Sequence, residues 1–258
     1  MSVTEITSTV AVSGPSQPSQ GPTRDNLEAL ASKIAAHREQ IYAAGEVLDE
    51  VGRGVPIWPA GVIKPAADAL RDLVTREKAT RTVEVGLGVG LSSMAIVEGL
   101  ARQGNPAAAH LTIDPGQAWC DRAGIRALRE SGADQLAQVC EQDSALALPA
   151  LAAAGEVFDL AFIDGAHLFD QVIVDLFFAR RIVKPGGLIV MDDHWMPSVQ
   201  TVLAFAVTNW GVTLELFDPE GPAKRLVAFR NAGADKSRAW DHFRPFSRAD
   251  LPPYPWRA

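Results

Sequence analysis

Short apolar runs of the strand type alternate with runs of helical periodicity from residue 82 onward. This alternation is typical of a parallel sheet covered by helices on both faces. The last two strand-like runs flank the turn-forming sequence Asp218-Pro219-Glu220-Gly221, which indicates an antiparallel edge. We therefore expect an α/β, Rossmann-like fold with a seven-stranded, mostly parallel sheet and an antiparallel edge strand. The predicted strands cover 82–86, 110–114, 137–143, 158–164, 188–192, 213–217 and 226–229, and the predicted helices between them cover 92–103, 119–130, 146–153, 169–183 and 198–210.

Two kinds of sequence precede this pattern. Residues 1–23 are rich in Ser, Thr, Pro, Gln and Gly and hold few large apolar side chains, so we expect a flexible tail. Between Leu27 and Val51 the apolar positions recur at three, four and seven residues, which predicts one helix that Gly52 and Gly54 end. Its apolar stripe must pack on the main fold, on a second subunit or over the active site. The predicted organisation is N-terminal helices over 24–78, with a second helix at 66–76, a catalytic domain over 79–232, and an aromatic and proline-rich tail over 233–258.

Composition argues against several classes of function. The chain has 258 residues, 47% of them apolar, which suffices for one large core. Its net charge is −7 and it has no long basic run, so we expect no nucleic-acid partner. No apolar stretch approaches the roughly 20 residues that cross a bilayer, and the N-terminus lacks a secretory signal pattern, so we expect no membrane association and a cytoplasmic location. Cys120 and Cys140 form neither a metal spacing nor a redox pair and are predicted to be buried thiols.

The first predicted strand ends in the glycine-rich run Glu84-Val85-Gly86-Leu87-Gly88-Val89-Gly90. Glycines at a strand-to-helix turn adopt backbone angles closed to other residues and let a ligand approach the main chain. The spacing differs from the dinucleotide motif G-x-G-x-x-G, because the third glycine comes one residue early and Leu91 stands at the dinucleotide position. The turn also lacks the lysine followed by Ser or Thr that a triphosphate loop requires. The alternative is a glycine-rich turn with only a packing role.

The pattern E-x-G-x-G-x-G after a strand resembles the first motif of the class I S-adenosylmethionine (SAM)-dependent methyltransferases. The resemblance implies that SAM is the cofactor and that the glycine turn holds it. Asp114 ends the second strand, 24 residues after Gly90, where a carboxylate can accept the ribose hydroxyls. Asp143 and Ser144 end the third strand and resemble the family's adenine-contacting segment, although Asp143 is equally a candidate helix N-cap. The implied cofactor-binding residues are Glu84, Gly86, Gly88, Gly90, Ser92, Asp114, Asp143 and Ser144.

Carboxylates end the fourth and fifth predicted strands. Asp164 follows the fourth strand, and Asp192 and Asp193 follow the fifth, so all three should lie on the same edge as the glycine turn. Carboxylates that converge repel one another unless a cation compensates, and oxygen ligands suit Mg²⁺, Mn²⁺ or Ca²⁺. Neighbouring strand residues point to opposite faces, so Asp192 and Asp193 can share an ion only if the chain leaves strand geometry there. The alternatives are a helix cap at Asp164 and a solvated loop pair at Asp192 and Asp193.

This set resembles the metal-dependent O-methyltransferases, namely the catechol and caffeoyl-CoA enzymes and the bacterial enzymes that methylate sugars of antibiotics. The resemblance covers about residues 60–200. It implies that Asp164, Asp192 and Asp193 bind Mg²⁺ and that His167 is the catalytic base, while His194 is treated as a loop histidine. The implied acceptor is a hydroxyl of a small molecule, either a phenol or catechol or a sugar of a secondary metabolite. Alternatives are a metal-independent N- or C-methyltransferase and a non-catalytic SAM-binding protein.

Aromatic residues are dense near the C-terminus. They are suited to line a substrate pocket, to dock on a partner subunit or to anchor the tail, and we favour anchoring. We also expect a homo-oligomer, with a dimer as the simplest case. The residues concerned are Trp240, His242, Phe243, Phe246, Tyr254 and Trp256.

Overall fold

The computed structural model describes residues 23–215, 225–233 and 239–251. Within these ranges, none of the helices combines the length and apolar character needed to span a bilayer. The predicted turn at 218–221, the N-terminal tail up to residue 22, Tyr254 and Trp256 lie outside the described residues. The helices are α1 (Arg24–Ala44), α2 (Lys64–Arg76), α3 (Leu91–Arg102), α4 (Ala123–Ser131), α5 (Ser144–Ala153), α6 (Phe169–Ile182) and α7 (Pro197–Trp210).

Within the described residues, nine strands form a two-stranded hairpin and one seven-stranded sheet. The large sheet has the order β5-β4-β3-β6-β7-β9-β8, in which the first five are parallel, β9 runs antiparallel to β7, and β8 pairs with β9 at the edge. This arrangement confirms the predicted mostly parallel, Rossmann-like fold. The strands are β1 (Glu46–Leu48), β2 (Gly54–Pro56), β3 (Arg81–Val85), β4 (Ala109–Ile113), β5 (Ala137–Cys140), β6 (Phe158–Ile163), β7 (Val183–Met191), β8 (Leu214–Glu215) and β9 (Val227–Arg230).

The core has two layers, one on each face of the sheet. Helices α1 to α4 cover one face, where they pack on side chains such as Leu160 and Phe162. Helices α5 to α7 cover the other face, where Val83 and Leu111 lie. Both cysteines are buried and free, as expected. The strand order reverses beside β3, so the carboxyl ends of β3, β4, β6 and β7 surround the point where ligands bind in such sheets.

The N-terminal helix is shorter than its periodicity predicts. Helix α1 ends at Ala44 because Gly45 takes a left-handed conformation (φ 73°) and donates its N–H to the carbonyl of Ile41. The prediction of one helix through Val51 is therefore wrong. The chain turns instead into the β1–β2 hairpin, and Val51 is 75% exposed. Leu48 and Val51 continue the helical spacing of the apolar residues, although both lie beyond the end of the helix.

The buried stripe of α1 packs on the same chain. Leu27, Leu30, Ile34 and Ile41 are at most 5% exposed, and α1 lies against α3 and α4. Of the three packing options that the sequence left open for this stripe, the structure therefore shows the first. The C-terminal segment is held similarly, since Phe246 packs edge-on against the α7 ring of Phe205 at 5.4 Å between centroids. This contact agrees with an anchoring role for that segment, although Trp240 is 98% exposed.

A buried ion-pair network joins the three helices of the N-terminal side. Arg38 of α1 is 2% exposed and donates to Glu98 of α3 at 2.5 Å and to Asp68 of α2 at 2.7 Å. Glu98 is fully buried and also accepts from Arg102. A buried carboxylate is stable only when it is paired, so Arg38 is the residue that makes this helix packing compatible with Glu98.

We expect Arg38→Met to lower the free energy of unfolding by about 3 kcal/mol or more, because it leaves Glu98 and Asp68 short of a buried partner. Urea denaturation measures this change. Arg24→Met is the matched control, since Arg24 lies on the same helix with 78% of its side chain exposed and should change stability by less than about 0.5 kcal/mol. Equal stabilities of the two variants would contradict the assignment.

Candidate active site

A cavity of about 710 Å³ opens at the carboxyl ends of β3, β4, β6 and β7. Its walls come from the glycine turn after β3, from the segment before α2, and from the residues that follow β4, β6 and β7. Among the predicted site residues, the lining ones are Gly86, Gly88, Ser92, Asp114, Asp143, Ser144, Asp164, His167, Asp192 and Asp193. The structure therefore brings ten of the twelve together at one cavity.

Glu84 and Gly90 are not among the lining residues. Glu84 is fully buried beneath the turn, where it accepts from Ser93 and lies 3.1 Å from His110 Nε2. Gly90 is the N-cap of α3 in a left-handed conformation (φ 87°). Both residues shape the turn from below and do not form part of the cavity wall.

The glycine turn passes very close to the end of β6. Gly86 has φ 97°, and a Cβ built on it would lie 2.2 Å from the carbonyl oxygen of Asp164. No side chain fits at that distance, and the positive φ is unfavourable for any residue that has a Cβ. Glycine is therefore required here for both reasons. The close approach brings the turn and the acidic end of β6 into one wall of the cavity.

Asp114 holds the turn from the end of β4. Its Oδ2 accepts from the backbone N–H groups of Leu87 and Gly88, both at 2.9 Å, and its Oδ1 accepts from the N–H of Gly116 at 2.6 Å. Gln117 donates to the same Oδ2 at 3.1 Å. Because each carboxylate oxygen has two acceptor positions, Oδ1 keeps one for a further donor.

Asp143 caps helix α5, accepting from the N–H of Ala145 at 2.8 Å. The cap alternative for this residue is thus observed, while the side chain also lines the cavity. Next to it, Ser144 lines the cavity together with Asp175 of α6. Burial raises the pKa of Asp175 to about 6, against the opposing effect of Ser144. Asp175 was not predicted from the sequence, because one aspartate within an apolar helix carries no motif.

His167 lies between two carboxylates at the other end of the cavity. Its Nε2 is 3.6 Å from Asp164 Oδ1 and 3.3 Å from Asp193 Oδ2. Both His167 (φ 55°) and Asp193 (φ 52°) have left-handed backbone conformations. The chain therefore leaves strand geometry directly after β7. This departure is what we expected to be necessary for Asp192 and Asp193 to face one site.

Burial and like charge shape the titration of these groups. Burial, followed by the charges of Asp192 and Asp193, holds the pKa of Asp164 well above its usual range. Burial and the neighbouring Asp193 raise the pKa of Asp192 to about 6. Burial lowers the pKa of His167 against the opposing effect of Asp193, so its imidazole is neutral at pH 7. Perturbation of several groups in one cleft is typical of a functional site.

Arg225, just before β9, was also missed by the sequence analysis. Its Nη2 donates to Asp193 Oδ1, and its Nε lies 3.8 Å from Asp192 Oδ1. Trp195 Nε1 donates to the same Asp193 oxygen at 2.8 Å. No local sequence pattern marks Arg225, because it reaches the cavity only through the pairing of β9 with β7.

The donor set at this end of the cavity fits a divalent cation. One ligand atom each from Asp164, His167 and Asp193 lies within 4.8 Å of the others, and carboxylate oxygens with an imidazole suit Mg²⁺ or Mn²⁺. Asp192 is outside that group, and its Oδ1 lies 3.8 Å from Arg225 Nε. This oxygen is buried and has no hydrogen-bond partner within the described part of the chain. We use the name acidic rim for Asp164, Asp192 and Asp193.

Comparisons with known proteins agree with this geometry. Residues 83–194 match a family model described as a methyltransferase domain. A curated relative from Mycobacterium sp. (strain JLS), provisionally named an O-methyltransferase, is 29% identical over 164 residues, which cover 62% of this chain and 70% of the relative.

Two solved structures share the fold. The O-methyltransferase from Bacillus cereus in complex with S-adenosylhomocysteine (SAH) has a TM-score of 0.58 at 15% identity, covering 88% of this chain and 97% of that one. The O-methyltransferase TomG from Streptomyces achromogenes, involved in tomaymycin synthesis and in complex with SAM, has a TM-score of 0.55 at 21% identity, covering 78% of this chain and 89% of that one.

The matched domain contains the glycine turn, Asp114 and the acidic rim, so the comparisons and the cavity concern the same part of the chain. The sequence-based resemblance is thereby confirmed at the level of fold and domain. Residues 83–194 match the methyltransferase domain family, and the chain has the fold of solved O-methyltransferases that hold SAM or SAH, so the findings together support a SAM-dependent methyltransferase.

Proposed function

We propose that this chain is a SAM-dependent, divalent-metal-assisted O-methyltransferase that acts on a hydroxyl of a small molecule. The observation that carries the proposal is one cavity with the glycine turn at one end and His167 between Asp164 and Asp193 at the other. The relative and the two fold neighbours named as O-methyltransferases support the type of acceptor atom. A phenol, a catechol or a sugar of a secondary metabolite is the proposed acceptor class.

The cofactor half of the cavity suits SAM in this proposal. Gly86 and Gly88 let the ligand approach the main chain, and the remaining acceptor position on Asp114 Oδ1 suits a ribose hydroxyl. Asp143 and Ser144 stay the proposed adenine contacts, and Ser92 lines the same wall. Bound SAM supplies a methyl group on a sulfonium, and a cation bound at the acidic rim would lower the pKa of the acceptor hydroxyl.

His167 is the proposed base. Its Nε2 is the ring nitrogen that faces the cavity carboxylates, and the lowered pKa keeps it ready to accept the hydroxyl proton at pH 7. The same nitrogen cannot bind a cation and accept a proton together. The base role therefore goes with cation binding by Asp164, Asp192 and Asp193, which is the ligand set that the family resemblance implies.

Flat apolar walls support a ring-shaped acceptor. Trp58, Trp119 and Trp195 line the cavity while remaining 49%, 56% and 54% exposed. The indole of Trp195 is oriented by its hydrogen bond to Asp193, so it stands directly beside the acidic rim. Aromatic faces bind both phenol rings and the apolar faces of sugars.

The cytoplasmic location and the dimer stay predictions from the sequence.

One observation favours a second candidate, a metal-independent methyltransferase. Arg225 already supplies a positive charge to Asp192 and Asp193, so the acidic rim is partly neutralised by the chain itself. In that case His167 would activate the acceptor without Lewis-acid assistance. Metal removal separates the two candidates.

We expect Gly86→Ala to weaken SAH binding by about tenfold or more, because its Cβ would meet the Asp164 carbonyl and displace the turn. Calorimetric titration with SAH measures the affinity. Gly155→Ala is the matched control: Gly155 also has a positive φ (72°) but no atom within 4 Å of its built Cβ, so SAH binding should not change. Unchanged binding in both variants would place the cofactor elsewhere.

We expect EDTA to abolish methylation of a catechol or sugar hydroxyl and Mg²⁺ to restore it. Asp164→Asn should lower kcat/KM by at least about a hundredfold, because it removes a charge from the proposed cation site. Asp170→Asn, an exposed aspartate at the start of α6, is the control and should retain activity. Activity that survives both EDTA and Asp164→Asn would favour the metal-independent candidate.

We expect His167→Gln to lower kcat by about 10²- to 10⁴-fold. In the native protein, activity should be full at neutral pH and fall as pH drops through the pKa of His167, below 6.5, because protonation removes the base. The pH profile of kcat/KM measures this acidic limb. A limb that persists unchanged in the residual activity of His167→Gln would assign the proton transfer to another group.

A further inference from the structure

Arg225 occupies a position that the proposed metal mechanism does not use. Its guanidinium lies against the acidic pair at the end of β7, with Nη2 on Asp193 Oδ1 and Nε 3.8 Å from Asp192 Oδ1. The side chain is 28% exposed, and its Nε is buried without a hydrogen-bond partner among the described residues. Arg225 is therefore held here by charge, with one hydrogen bond at its tip.

The guanidinium covers the carboxylate that the proposed metal site needs. The Asp192 side chain is 2% exposed, and its Oδ1 has no described hydrogen-bond donor although it faces Arg225. At 3.8 Å the contact is ionic and too long for a hydrogen bond. A cation therefore reaches this oxygen only when the guanidinium moves away.

The charges also compete. The three carboxylates of the acidic rim and the guanidinium of Arg225 line the same end of the cavity. Two cations that approach the same carboxylates repel each other strongly where water is largely excluded. Each therefore weakens the binding of the other.

We propose that Arg225 is a tethered counter-cation that competes with a divalent metal for Asp192 and Asp193. The inference rests on the proposed function, because it concerns the same metal site. With Arg225 in place, the cation ligands that converge are Asp164, His167 and Asp193. When Arg225 leaves, Asp192 becomes available and His167 is no longer needed as a ligand. Arg225 thus sets both the affinity for the metal and the availability of the base.

The test is a titration of the full chain with Mn²⁺, followed by the electron paramagnetic resonance signal of free Mn²⁺, without cofactor or acceptor. Arg225→Gln should bind Mn²⁺ about tenfold or more tightly than the native protein, because it removes the competing charge. Arg225→Lys keeps the charge and should stay close to the native affinity. Thermal unfolding of each variant verifies that it is folded, and Arg225→Met removes the same charge should Arg225→Gln not fold.

Arg230→Gln is the matched control. It removes one arginine from the same strand, but Arg230 pairs with Glu77 and Glu215 at the opposite end of β9, roughly 10 Å along the strand from Val227. Its Mn²⁺ affinity should equal the native one, which excludes a general effect of net charge.

Two results would overturn the inference and differ in what they say of the function. If Arg225→Gln binds Mn²⁺ no more tightly than the native protein, while Asp164→Asn loses binding, the metal site stands and Arg225 supports it instead of competing. If Arg225→Lys binds Mn²⁺ more weakly than the native protein, Arg225 likewise supports the metal site instead of competing. If neither the native protein nor Arg225→Gln binds Mn²⁺, metal assistance fails together with the inference.

Discussion

Backbone hydrogen bonds between the ends of neighbouring strands fix the distance between the glycine turn and the acidic rim. Asp164 donates its N–H to Val85 at 2.9 Å, Gly86 donates to Ile113 at 2.9 Å, and Asp192 donates to the end of β6 at 3.1 Å. These bonds continue the parallel ladders one step beyond the strands. The cofactor wall and the acidic wall are therefore parts of one sheet edge, and their separation follows from the strand spacing of about 4.8 Å.

The acidic rim works against its own electrostatics. Each buried carboxylate costs desolvation free energy, the charges of Asp192 and Asp193 raise the pKa of Asp164, and the charge of Asp193 raises the pKa of Asp192. The three side chains lie close together because they follow β6 and β7, which are neighbouring strands of the sheet. The guanidinium of Arg225 and the indole N–H of Trp195 offset part of this cost by donating to Asp193.

Local sequence predicts most of the site because its residues stand at strand ends. Gly86, Asp114 and Asp164 each follow an apolar run directly, and parallel strands bring such positions to one edge whatever the loop lengths. The fold class followed from the same alternation of runs. Strand boundaries shifted by a few residues, and β7 begins at Val183, five residues before its predicted start, because the Lys184-Pro185-Gly186-Gly187 sequence joins the strand.

What the sequence did not predict depends on contacts between distant segments. Arg225 reaches Asp193 only because β9 pairs with β7, and Asp175 reaches Ser144 only because α6 packs on α5. The periodicity of the local sequence predicts neither contact. The early end of α1 has a local cause, Gly45 in a left-handed conformation, but the apolar period continued past it and outweighed that single glycine.

Asp114 has a consequence beyond the shape of the turn. Its carboxylate already binds the N–H groups of Leu87 and Gly88, so the turn is ordered before any ligand arrives. The entropy lost in ordering these residues belongs to folding and not to binding. A preorganised turn makes cofactor affinity and domain stability linked quantities, because any change that loosens the Asp114 contacts weakens both at once.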